Sequence, residues 1–140
     1  MPIGNVIVAG ALAGIIANAT GYLITGRLFH RFQKATPGTW RVTESWAHYL
    51  WASVARIGAC IGIALLCALV LGWMHPNDGA HVIVAVLAGA TLWAVVLLPF
   101  TLEIALFVNW HKGFVAGLLL DWLLVCVIAG GSAAIALPVG

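Results

Sequence analysis

Four long apolar runs separated by short polar punctuation set the pattern of this chain. They cover about residues 3–26, 48–73, 81–109 and 114–137. At about 1.5 Å per residue, each helix is long enough to cross the roughly 30 Å hydrocarbon layer of a bilayer. The segment ending "TGRLFHRFQK" gives way to a "TPGT" turn, and Thr43 and Glu44 are well placed as a cap and first-turn acid for the second helix. "MHPNDGAH" and "NWHKG" mark the other two turns. Pro99 falls inside the third run, where it cannot donate to Val95, so a kink is expected there. The predicted fold is all-α, an integral membrane antiparallel four-helix bundle, with residues 1–140 forming a single transmembrane domain.

Composition gives the same picture. Of 140 residues, 64% are hydrophobic and 7% charged, and the mean hydropathy is +1.11. A soluble domain of this make-up would expose large apolar patches. The net charge of +2 comes from few basic residues, which excludes the dense basic surface of a nucleic-acid binder. Membrane lipid is therefore the expected surrounding. Arg27, Arg31, Lys34 and Arg41 fall in the first connection and Lys112 in the third, while the second connection and both ends carry no Lys or Arg. The positive-inside bias then places the first and third loops in the cytoplasm and both termini outside it. Trp40, Trp46, Trp51 and Trp110 near one boundary and Trp73 near the other read as an aromatic belt. The start "MPIGNVIVAG" lacks the basic region of a secretory signal and reads as a permanent span.

Asn18, Arg56, Glu103 and Asp121 interrupt the four runs, one in each. Counted from the cytoplasmic end of each run, they lie roughly 9 to 12 Å deep. A charge at a helix centre costs about 2.5 to 3.5 kcal/mol on insertion scales, and pairing relieves that cost. Small residues share faces with these groups, and the G-x-x-x-G spacings Gly10/Gly14, Gly58/Gly62 and Gly113/Gly117 predict helix-packing surfaces. Glu103 and Asp121 are thus expected to compensate Arg56 in a buried network to which Asn18 adds hydrogen bonds. One guanidinium against two carboxylates leaves a charge of minus one. Protonating an acid, admitting a cation or opening to water would resolve it, and the alternative reading is an ion or proton site.

The remaining reactive residues point to no cofactor, metal or catalysis. Cys60, Cys67 and Cys126 are odd in number, lack C-x-x-C spacing and read as small packing residues. No run holds a histidine near its middle, as a bis-histidine haem requires. His75, Asp78 and His81 share the outer turn but read as interfacial residues rather than metal ligands. No Ser/His/Asp set, phosphate loop or H-E-x-x-H is present.

The Asn- and Gly-studded first run into "GRLFHRFQK", the "GATLWAVVLLPFTLE" third run, "FVNWHKGF" and the polar residue early in the fourth resemble a widespread group of small bacterial four-helix membrane proteins, a domain of unknown function. The resemblance implies fold, topology and the bacterial inner membrane, and supplies no activity. Asp121 and Glu103 depart from that group, where the fourth-helix position is more often neutral and polar. The expected function is that of a structural or accessory subunit of a membrane assembly, or a homo-oligomer. A small proton- or ion-coupled transporter or channel is the alternative.

Overall fold

The computed structural model describes residues 3–39, 45–76 and 80–137. Helix α1 (Ile3–Gly21) runs on through a π-helical segment, Tyr22–Leu28, into the short α2 (His30–Gln33) and a 3-10 turn, Pro37–Thr39. Helix α3 (Trp46–Met74) is followed by α4 (His81–Leu92), which passes through a second π-helical segment, Trp93–Leu97, into α5 (Leu98–Phe107). Helix α6 (Lys112–Ala136) closes the bundle. These elements make four continuous apolar segments, each long enough to span a membrane: Ile3–Leu28, Trp46–Met74, His81–Phe107 and Lys112–Ala136.

The boundaries differ slightly from the sequence pattern, for local reasons. Helix α3 begins at Trp46 because Ser45 caps it, its side chain taking the backbone N–H of His48 while the ring of His48 returns to the Ser45 N–H, at 3.1 Å. Thr43 and Glu44, the expected cap and first-turn acid, lie outside the described residues, as do Trp40, Arg41 and Asp78. Helix α3 ends at His75, whose φ of 44° is left-handed, and whose N–H still reaches the Leu71 carbonyl. Helix α5 stops at Phe107, two residues before the predicted end, where Val108 turns extended. Helix α6 starts at Lys112 because His111 caps it, its ring accepting from Gly113 N–H at 3.0 Å.

At Pro99 the chain answers the missing donor with a wide turn. The Leu98 N–H bonds five residues back to Trp93, and Pro99 then occupies the first turn of α5, where its lost N–H costs least.

Helices α1, α3 and α6 pack as a trio, α4 lies on α6, and α3 meets α4 only lightly. The interfaces are made by small residues. A Cβ on Gly10 would sit 2.8 Å from the Ile61 Cα and one on Gly14 2.6 Å from the Ile57 Cα, so only glycine allows α1 this close to α3. Gly89 faces the Cys126 carbonyl and Gly130 the Ala85 carbonyl in the same way across α4 and α6. Cys60, Cys67 and Cys126 are buried in this core, unbridged.

Gly58 and Gly62 behave differently. They were expected to mark a packed helix face, yet nothing lies within 4 Å of a Cβ on either, and both are exposed. The two G-x-x-x-G pairs on α1 and α3 do not face each other, because α3 turns Ile57 and Ile61 to α1. A groove of about 660 Å³ between α3 and α4, walled by Leu66, Val70, Leu87 and Val95, marks the thin seam of the bundle.

Gly14→Leu should therefore force α1 from α3 at backbone level and lower stability by more than the roughly 1–3 kcal/mol of ordinary overpacking. Gly62→Leu should leave the monomer fold within about 0.5 kcal/mol of the parent. Thermal unfolding in mild detergent separates the two, and equal losses would contradict this packing.

Candidate functional site

The polar centre is built on α6. Asp121 lies ten residues after His111 caps that helix, with a side chain that is 0% exposed. A carboxylate so placed must be matched in charge and in hydrogen bonds. Arg56, eleven residues after Ser45 starts α3, supplies the match as a two-pronged fork. Its Nη1 donates to Oδ1 at 2.8 Å and its Nη2 to Oδ2 at 2.7 Å, the geometry for which a planar guanidinium is suited.

Helix α1 completes the site with backbone and a hydroxyl. Nη1 of Arg56 also donates to the Ala17 carbonyl at 3.0 Å, and Thr25 donates its hydroxyl to Asp121 Oδ2 at 3.3 Å. The guanidinium occupies the space that a Cβ on Gly21 would need. The π-helical segment begins at the next residue, and its wider turn carries Thr25, with Phe29 N–H bonding back five residues to Ile24 at 2.9 Å. Trp122 lies under the Arg56 guanidinium at 5.6 Å from its ring centroid. Arg56 remains 18% exposed, so the pair is sealed around the acid and slightly open at the base.

Three helices thus converge on one ion pair. A comparison with protein-family models, with curated proteins and with solved structures finds no match. The resemblance drawn from the sequence accordingly reaches no further than a four-helix, mostly apolar bundle consistent with membrane association. What the site can do has to come from its own geometry.

The structure sorts the four polar residues into three situations. Arg56 and Asp121 are joined. Asn18 bonds neither of them; its amide donates to the Gly14 carbonyl at 3.0 Å and the Ser53 carbonyl at 3.4 Å, tying α1 to α3 beside the ion pair. Glu103 is a correction: it is exposed, and among the described residues the only ion pair is Arg56–Asp121.

The reason is depth. Gly89 sits level with Cys126 and Ala85 with Gly130, so Asp121 lies level with about Ala94. Glu103 is nine residues further on, about 13 Å at the helical rise, near the level at which α6 begins. The expectation counted α5 inward from residue 109, but the helix ends at Phe107. Glu103 therefore belongs to the boundary of the span, where a carboxylate costs little.

Of the predicted packing glycines, Gly10 and Gly14 meet α3, while Gly113 and Gly117 lie under the rings of Phe32 and Phe29. Sequence reasoning passed over Thr25, Gly21's contact with Arg56, and Trp122. Thr25 carried a signal, since it continues the face of Gly14, Asn18 and Gly21 at helical spacing. Among the described residues no group of three or more His, Cys, Asp or Glu is placed to hold a metal ion.

Removing one member of this pair leaves a buried, unmatched charge. Asp121→Leu alone should cost about 3–5 kcal/mol, and Arg56→Met combined with Asp121→Leu should recover most of it. A double-mutant cycle on unfolding in detergent measures the coupling, and additive losses would show that the two charges act independently.

Proposed function

We infer that this protein is a multi-pass membrane unit with a structural or accessory role, working as a homo-oligomer or beside other membrane subunits. The observation that carries the reading is the charge balance of the polar centre. One guanidinium meets one carboxylate in a bidentate pair, with Glu103 outside it, so no charge is left over for a proton or cation to neutralise. The transport alternative drew its force from that surplus acid. A matched pair that joins three helices supports a latch rather than a carrier site.

The outer surface supports the same reading. Large apolar side chains are exposed along all four spans, Leu12, Leu69, Val95 and Ile135 among them, as lipid or neighbouring helices would require. Gly58 and Gly62 leave a smooth strip of α3 uncovered, while the other glycine pairs are packed against protein. The opposite sense of pairing, Gly10 with Ile61 and Gly14 with Ile57, supports an antiparallel arrangement of α1 and α3. Arg27, Arg31, Lys34 and Lys112 all fall at the end of the bundle where Phe32 stacks on His111. With positive-inside bias, that end faces the cytoplasm and both termini lie outside. Placement in the bacterial inner membrane is part of this proposal, supported by the four apolar spans, and the reading includes no catalysis.

Native mass of protein extracted gently from carbonate-washed membranes tests this. A discrete assembly larger than one chain is expected, with Gly58→Leu and Gly62→Leu reducing its mass while leaving the melting temperature unchanged. Glu103→Gln should alter neither. A monomer of unchanged mass in all variants would remove the assembly role, and ion flux in liposomes abolished by Asp121→Asn in a folded protein would favour transport.

A further inference from the structure

The chain places two arginines within its spans, and they end differently. Arg56 finds its counter-charge inside the protein. Arg27 lies in the last turn of the first span, Ile3–Leu28, exposed, with no carboxylate partner among the described residues. A lone cation on the outer face of a membrane helix needs an anion from its surroundings.

Arg27 is not isolated. Arg31 follows four residues later, past the bend at Phe29, and Lys34 three after that, and all three are exposed. The opposite side of this run is fixed to the protein: Phe29 lies over Gly117, and Phe32 lies over Gly113 and stacks on the His111 ring at 4.7 Å. Lys112, between His111 and Gly113, adds a fourth exposed cation at the same end of the bundle. The basic face therefore points away from the bundle.

Both guanidiniums are also held in place by aromatic rings. Arg27 lies 5.8 Å from the centroid of Tyr22, whose ring rests above Gly26, and Arg31 lies 4.8 Å from the centroid of Phe32. Guanidiniums fixed in this way lose less freedom on binding than mobile lysines, and each offers the two-pronged donor set that matches phosphate oxygens. Exposed Tyr22 and Leu23 supply apolar surface on the membrane side of the charges, and exposed Leu28 lies between them. The arrangement is cationic at headgroup level and apolar below it.

We propose that Arg27 and Arg31 form a binding site for the phosphate of an anionic phospholipid, with Lys34 and Lys112 adding attraction and the acyl chains lying along Tyr22 and Leu23. The inference rests on the membrane reading given above. Its requirement is specific: an anionic lipid is held in preference to a zwitterionic one of the same chains.

Native mass spectrometry on the detergent-solubilised full chain, with equal phosphatidylglycerol and phosphatidylcholine of matched chains, tests it. Phosphatidylglycerol adducts should dominate in the parent protein and weaken as salt rises. Retention should fall roughly fivefold for Arg27→Gln or Arg31→Gln and about 25-fold for the pair. Equal retention of the two lipids by the parent protein would overturn the site without requiring any variant to fold. Unchanged retention in a double variant with parental melting temperature would overturn it too, and displacement of the lipid by millimolar inorganic phosphate would assign the site to a soluble anion instead. Absence of the protein from carbonate-washed membranes is a separate result, which would fail the membrane reading first.

Discussion

A carboxylate with no exposed surface, in the middle of a helix bundle, is the constraint around which this molecule is arranged. A carboxylate so buried must be matched, and here a guanidinium meets both oxygens of Asp121. To deliver that guanidinium, Arg56 must cross towards α1 and α6, and Gly21 must have no side chain. The Ala17 carbonyl takes a further donor hydrogen, and Thr25 donates to the oxygen that also accepts from Nη2. One residue on α6 thereby dictates the neighbouring residues on α1 and α3.

Such a pair carries more positional information in lipid than it would in water. Apolar helices gain little from burying their faces against each other when the surrounding solvent is itself hydrocarbon, so close packing and polar contacts must decide register. The bundle uses both. Gly10 and Gly14 set the distance of α1 from α3, Gly89 and Gly130 set that of α4 from α6, and the ion pair fixes the three central helices along their lengths. Helices α3 and α4 share neither device, and the open groove lies between them.

The four spans were legible because an apolar run of 20 or more residues has few alternatives. The pairing of Arg56 with Asp121 was legible because a charge in the middle of a long apolar run demands a partner. Glu103 misled because depth was counted from the ends of apolar runs. Asn109 extends the run in composition, but the backbone leaves the helix after Phe107, and that two-residue shift adds to the stagger of α5 against α6. Glycine spacing also shows where a helix can be approached, not from which side. The same motif is packed at Gly10 and Gly14 and open at Gly58 and Gly62. The π-helical segments left only indirect traces, in Pro99 and in Gly21, Thr25 and Gly26 near the end of the first run.

The two arginines within the apolar spans show how this division works. Arg56 is eleven residues into α3, and its anion is built into the protein. Arg27 is one residue from the end of its span and has no carboxylate partner among the described residues. The same side chain therefore joins helices at one level of the bundle and is left exposed at another. Glu103 follows the same logic with opposite sign: nine residues beyond the level of Asp121, it is exposed and has no ion-pair partner among the described residues. Depth, more than residue type, determines which of these charges the fold has to satisfy and which it can leave to the surroundings.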